Sequence, residues 1–286
     1  MKTIAGKVAM VTGAGGDGIG NALVLALAKA GAKVAFCDID KLDRTRGELD
    51  RLGAPYHAAQ VDVSDRTAMA DFIEAVVARF GGLDILINNA GIALGDRGFE
   101  QLSHADFERI TGVNYWGVIH STQLAYPHLI ASDAAAIVNL SSSQGILALP
   151  FLVPYCMTKF AVRGFTDALR AEHRLRGIDH VQVHTVHPGA VATNITLNAD
   201  YHGSSTQRFH EDLQKGTDRH KAAAIILKGI VRNRPRIMIS DGAAHDLLAR
   251  LMPAANTRVV RWLMRRRKIA IRPLDRACLK KHAPSR

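Results

Sequence analysis

A doubly wound α/β fold, in which a parallel seven-stranded sheet carries helices on both faces, is what this 286-residue sequence predicts. Three observations carry that expectation. Short β-branched runs alternate with longer stretches of helical period, as βαβ units require. A glycine-rich turn joins the first such run to the first helix. With 48% hydrophobic and 22% charged residues, the chain has enough apolar surface to cover both sides of a sheet.

Taken in order, strands are expected at Lys7–Thr12, Lys33–Cys37, Tyr56–Asp62, Asp84–Asn88, Ala135–Leu140, Val181–Val186 and Arg236–Ser240. Between them, Ala22–Ala30, Arg66–Arg79, Ala105–Ile130, Tyr155–Arg176 and Lys221–Val231 repeat apolar positions three and four apart, the mark of helices facing a core. No linker, repeat or low-complexity tract divides the chain up to Asp241, so residues 1–257 are read as one domain. Within it, residues 194–220 are polar and rich in Gly, Ser, Thr and Asn. A loop that long in a compact domain usually has a function, and a substrate lid is the expectation.

The net charge of +11 is not spread evenly. Residues 258–286 hold 11 Lys and Arg against one acid, Asp275, whereas the rest of the chain is nearly balanced. At 100° per residue, Val259, Val260, Leu263 and Met264 share one arc of this tail, while Arg258, Arg261, Arg265 and Lys268 share another. Such a basic amphipathic helix can lie on an anionic membrane surface, cover a substrate entrance, or pack as an ordinary solvated face. No base-stacking motif accompanies the charge, which argues against a nucleic-acid partner.

No signal-peptide pattern follows Met1, and the longest nonpolar run, Ile146–Met157, contains Pro150 and Pro154 and is too short to span a bilayer. Cys37, Cys156 and Cys278 lie far apart without C-x-x-C spacing. A reducing, cytoplasmic setting is therefore expected, without disulfides, and no histidine pair suggests a metal site.

The chemistry begins at Thr12-Gly13-Ala14-Gly15-Gly16-Asp17-Gly18-Ile19-Gly20. Placed between a strand and a helix, G-x-G-x-x-G lets the backbone approach a pyrophosphate, while the free N–H groups at the helix N-terminus attract its charge. This is the signal of a Rossmann-type dinucleotide site. Asp38 stands twenty residues beyond Gly18 at the end of the second strand, where an acceptor for the adenosine ribose hydroxyls belongs. Its carboxylate would repel a 2′-phosphate, which favours NAD over NADP. Further on, Tyr155 and Lys159 are four apart at a helix start, so an ammonium can stand beside a phenol and favour its ionised form.

With Asn88-Asn89-Ala90-Gly91 closing the fourth strand, Asn114 inside a helix, Ser141-Ser142-Ser143 closing the fifth strand and Tyr155-x-x-x-Lys159, the sequence resembles the short-chain dehydrogenase/reductase family over about Lys7 to Ser240. The branch is the one with a T-G-x-x-x-G-x-G loop, N-N-A-G and Y-x-x-x-K. The resemblance implies reversible hydride transfer between a nicotinamide cofactor and a secondary alcohol or ketone. It assigns Tyr155 as general acid/base and Ser142 as the holder of the substrate oxygen, with Ser141 and Ser143 as neighbours to which that role could slip. Asn114 would keep a proton-relay water, and Lys159 would also bind the nicotinamide ribose.

By the same resemblance the cofactor would meet Gly13, Gly15, Asp17, Gly18 and Ile19, then Asp38, and Asp62 with Val63 beside the adenine, where a helix cap is the rival reading. The backbone of Asn88, Asn89, Ala90 and Gly91 would follow. The carboxamide would meet Pro188, Gly189, Val191 and Thr193, from the stretch resembling P-G-x-V-x-T, although Pro188 and Gly189 could simply make a turn. Family members commonly pair the helices after the fourth and fifth strands across two-fold axes, which implies a homodimer or homotetramer. The apolar Gly145–Pro154 segment points to a lipophilic or aromatic substrate, or else to core packing.

One departure stands out. The family places three residues between its first two loop glycines, whereas Gly13 and Gly18 enclose four, Ala14 to Asp17, so the turn must bulge by one residue, and Asp17 puts a negative charge near the pyrophosphate unless it points to solvent. The rival to the enzyme is a catalytically silent, dinucleotide-binding or membrane-associated protein of the same fold. Such a protein has no chemical need for Asn114, Ser142, Tyr155 and Lys159 together.

Overall fold

The computed structural model describes residues 1–95, 97–197, 199, 210–252 and 256–266. Seven parallel strands form one sheet: β1 (Val8–Thr12), β2 (Lys33–Asp38), β3 (Tyr56–Gln60), β4 (Ile85–Asn88), β5 (Ala135–Leu140), β6 (Val181–Pro188) and β7 (Arg236–Ile239). Their spatial order is β3-β2-β1-β4-β5-β6-β7. The order reverses between β1 and β4, and in such a sheet the crevice beyond the carboxyl ends of these strands is where ligands bind.

Strand composition explains the layering. In β1, alternate residues point to opposite faces: Ala9 and Val11 pack under α1 (Ile19–Lys29), α2 (Leu42–Leu52) and α7 (Arg219–Val231). Val8 and Met10 pack under α3 (Arg66–Phe80) and α5 (Gly117–Ala131). Every residue of β1, β4 and β5 is buried, as expected of strands covered on both sides. Phe36, Leu23, Leu27 and Ile226 fill one core, Met69, Ile73, Leu86 and Leu129 the other.

The expected strands fall within a few residues of those observed, with β3 shorter at its end and β6 longer. The helices differ more. Ala105–Ile130 is not one helix: α4 (His104–Thr111) passes through a π-helical turn, Gly112–Trp116, into α5. Two further helices, α2 and α8 (Gly242–Leu251), occupy stretches not expected to be helical. In α2, only Leu42, Thr45 and Leu49 face inward beneath a charged surface. The helix carrying Tyr155, α6 (Val153–Leu175), starts two residues earlier than expected, with Pro154 in its first turn.

Residues 194–220 are not a plain loop. A helical turn covers 210–214, α7 begins at Arg219 under the cap of Asp218, and Thr217 pairs with the backbone of Ala190 and Ala192, closing the segment at its base. Asn198 and residues 200–209 lie outside the described residues, as does the tail beyond α9 (Asn256–Arg266). Among the described residues, no helix is long and apolar enough to cross a membrane.

Candidate active site

The glycine turn is built by close backbone contacts on one side and open space on the other. Gly13 has φ +67°, and a Cβ there would come within 2.6 Å of Ala90 Cα. At Gly20 a Cβ would strike the Gly13 carbonyl, and at Gly15 it would press on Asp38 Cβ at 2.9 Å. By contrast, nothing lies within 4 Å of a Cβ at Gly16 or Gly18, and Gly18 heads α1 with no side chain capping the first N–H groups. This open, uncapped helix end is the kind of cradle that a pyrophosphate fits. Ile19, the first residue of α1, packs partly against the core.

Asp38 Oδ2 accepts the Gly15 N–H at 2.8 Å, so the carboxylate stands against the turn, where a ribose diol would be held. Asn89 and Ala90 follow β4 and tie the turn down: Asn89 Nδ2 donates to the carbonyls of Thr12 and Gly13, and both backbone N–H groups donate to Thr12 Oγ1. The Asn89 side chain is thus a clamp on the loop. Asn88 is committed deeper, to Thr122, Asn139 and Ser121.

Asp17 neither points freely to solvent nor bears on the turn unbalanced. Its carboxylate contacts Arg219 at the start of α7 and lies 3.3 Å from Arg44 of α2, so two guanidinium groups offset it. Sequence reasoning missed both arginines, since neither has a local signal that ties it to the glycine turn. Asp62 does not cap α3; that role belongs to Asp65, which accepts from Thr67 and Ala68. Asp62 instead accepts from the N–H and hydroxyl of Ser64, and Val63 is buried against Gly117.

A second group converges at the carboxyl ends of β4 and β5. Lys159 is buried, donates to the Leu140 carbonyl at 3.0 Å, and sits 5.6 Å from the centre of the Tyr155 ring. Gly91 lies beside both Lys159 and Asn114, since a Cβ there would be 3.3 Å from each polar tip. The π-helical turn aims Asn114 inward, where it grips the Ile92 backbone in both directions and donates to Thr158 at 3.2 Å. Such turns often mark functional positions within helices.

Among the three serines, Ser142 is the one beside the phenol. Ser141 donates to the Lys159 carbonyl and Ser143 is buried, whereas Ser142 hydrogen-bonds with Tyr155 and also contacts Gln144. Burial pushes the Tyr155 phenol up to about 12, while hydrogen bonding to Ser142 acts in the opposite direction. Burial also pushes Lys159 down to about 8. The pairing expected to ionise the phenol is therefore opposed by desolvation of both partners. At neutral pH the phenol therefore keeps its proton.

His187 lies on β6, where no sequence signal ties it to the site. It is buried, burial pushes it down to about 4, and its neutral ring donates the Nδ1–H to the Ser142 carbonyl at 3.1 Å, since a carbonyl can only accept a hydrogen bond. The histidine thereby fixes the backbone of the serine. Beyond it, the Pro188 carbonyl faces Ser142 Oγ, Gly189 lies against Asp241, and Val191 is buried in a bridge with Thr217. Gln214 donates to the Thr193 carbonyl, and Thr196 meets His210, which clasps the two arms of the 194–220 segment.

An open glycine turn after β1, a carboxylate at the end of β2 and a serine, tyrosine and lysine beyond the ends of β4 and β5 fit the layout of a dinucleotide-dependent oxidoreductase site. The chain belongs to the short-chain dehydrogenase family, whose model matches residues 7–202. SadH of Mycobacterium tuberculosis, a presumed oxidoreductase, is 39% identical over 267 residues, covering 91% of this chain and 96% of SadH. A dehydrogenase/reductase SDR family protein 7-like of Anopheles gambiae is 33% identical over 272 residues, covering 92% of this chain and 83% of the relative. The crystal structure of a short-chain dehydrogenase/reductase from Burkholderia phymatum in complex with NAD matches with a TM-score of 0.78 at 26% identity, covering 96% of this chain and all of that one. The fold and the oxidoreductase class are those of this family.

Proposed function

We propose that the protein is an NAD-dependent oxidoreductase of a lipophilic secondary alcohol or its ketone. The observation that carries this reading is that Ser142, Tyr155 and Lys159 meet beyond the ends of β4 and β5, at the same end of the sheet as a glycine turn that Asp38 closes. Bound nicotinamide would supply or accept the hydride. Ser142 would hold the substrate oxygen, and Tyr155 would donate its proton to a ketone or take one from an alcohol. Lys159 would favour the phenolate in the second case, with Asn114 fixing the neighbouring Ile92 backbone. Asp38 would accept from the ribose hydroxyls and oppose a 2′-phosphate, which supports NAD over NADP.

Ile146 and Leu147 are buried in the body, which leaves Leu149, Phe151 and Leu152, all partly exposed just before Tyr155, to meet an apolar substrate. Trp116, Met157 and Phe160 are exposed on the π turn and α6, and they support a homo-oligomer formed through these helices. The direct test of activity is a screen of secondary alcohols with NAD, and of ketones with NADH, followed by absorbance. Turnover with at least one apolar alcohol or ketone is expected. Cofactor binding without turnover on any of them would favour the silent dinucleotide-binding alternative.

A further inference from the structure

Residues 242–286 contain 12 Lys and Arg and two acids, Asp246 and Asp275. Asp246 is taken up by Arg236 and by Arg250 at 2.8 Å. On α8, Ala243, Ala244, Leu247 and Leu251 face outward beside Arg250, while Gly242, His245, Asp246, Leu248 and Ala249 turn toward the body. Leu247 is 59% exposed and Leu251 is 71% exposed, and Met252 follows them at the helix end. On α9, Val260 is buried and docks the helix, whereas Arg258, Arg261 and Trp262 are exposed. Leucines three to four residues apart on a solvent face cost free energy unless something covers them.

We propose that α8 and α9 form a surface that attaches the protein reversibly to an anionic lipid membrane. Leu247, Leu251, Met252 and Trp262 would enter the headgroup region, with the arginines against lipid phosphates. Charge selects the occupant: a strongly basic segment with leucines and a tryptophan combines the two contributions that hold an interfacial helix. Nucleic acid would use the arginines and leave the leucines idle. The proposal is independent of the oxidoreductase reading, and either can fail without the other.

The test uses the full chain and vesicles of phosphatidylglycerol with phosphatidylcholine, compared with phosphatidylcholine alone. Co-sedimentation with the anionic vesicles at low salt is expected, falling as salt shortens the screening length from about 10 Å at 0.1 M to about 3 Å at 1 M. Tryptophan emission should shift to the blue on binding, and Trp262→Phe should remove that shift. Leu247→Ser with Leu251→Ser should weaken attachment about tenfold or more, with the melting curve unchanged because both side chains are exposed. Should that variant not fold, Arg258→Gln with Arg261→Gln provides the second measurement, again with weaker attachment expected. Failure to sediment with anionic vesicles at low salt would overturn the proposal, as would attachment that the serine variant keeps in full.

Discussion

The glycine turn and the Ser142–Tyr155–Lys159 group sit at the same end of the sheet, yet they are specified in opposite ways. The turn is defined by what is missing. Side chains are forbidden at Gly13, Gly15 and Gly20, where backbone passes close by, and space is left at Gly16 and Gly18. It therefore has room for one more residue than the family's spacing: Asp17 lies between the open positions Gly16 and Gly18, and Arg44 and Arg219 offset its charge. The second group is defined by side chains from separate elements that must meet. A shift of one residue, from Ser142 to Ser141 or Ser143, would take the hydroxyl away from the phenol. A site made of backbone tolerates insertion at its open side; a site made of side chains tolerates none.

The contrast can be broken first within the turn. Gly13→Ala should be severely destabilising, because alanine at φ +67° costs about 1–2 kcal/mol and its Cβ would also meet the Ala90 backbone at 2.6 Å. Gly16→Ala, with no neighbour within 4 Å, should stay within about 0.5 kcal/mol. Urea unfolding of the two variants checks the difference. If they prove equally stable, the division into closed and open glycines is wrong.

The next effect sharpens the side-chain half. Lys159 is lowered to about 8 by burial and returns to 10.5 on unfolding. Between those values the unfolded state binds more protons, so the native enzyme gains stability as pH rises through the window. Lys159→Met should then be the more stable protein below pH 8, by about 1–3 kcal/mol, with the advantage shrinking by pH 10.5. Thermal midpoints at pH 7 and 10 measure this. A gap that does not change with pH would show that Lys159 is not strained by its burial.

The smallest effect is at the seam between the halves. Asp38→Ala should narrow the preference for NADH over NADPH by about tenfold, the scale of one lost repulsion at about 1.4 kcal/mol. Fluorescence titration with both cofactors reads it. Equal or reversed affinities in the unmodified protein would contradict the role given to Asp38.

Much of this is legible in the amino-acid sequence. The strands could be placed because burial on both faces favours short apolar, β-branched runs, Tyr155 and Lys159 because residues four apart share a helix face, and Ser142 and Asn114 only through the resemblance to the short-chain dehydrogenase/reductase family. The π turn was not legible, since its added residue shifts the helical phase without a break in composition. Nor was α2, whose eleven residues are mostly charged and bury only a narrow stripe. The partners of Asp17 and the hold of His187 on Ser142 join residues distant in sequence. Periodicity records nothing of such contacts.

The central claim is that Tyr155 moves the proton while the glycine turn and Asp38 hold the cofactor. Its most direct test is Tyr155→Phe, with NADH affinity and turnover measured on the same preparation. The account predicts NADH affinity close to that of the unmodified enzyme and turnover lower by about 10²- to 10⁴-fold, the usual worth of a general acid/base. Near-normal turnover, or loss of NADH binding together with activity, would contradict it.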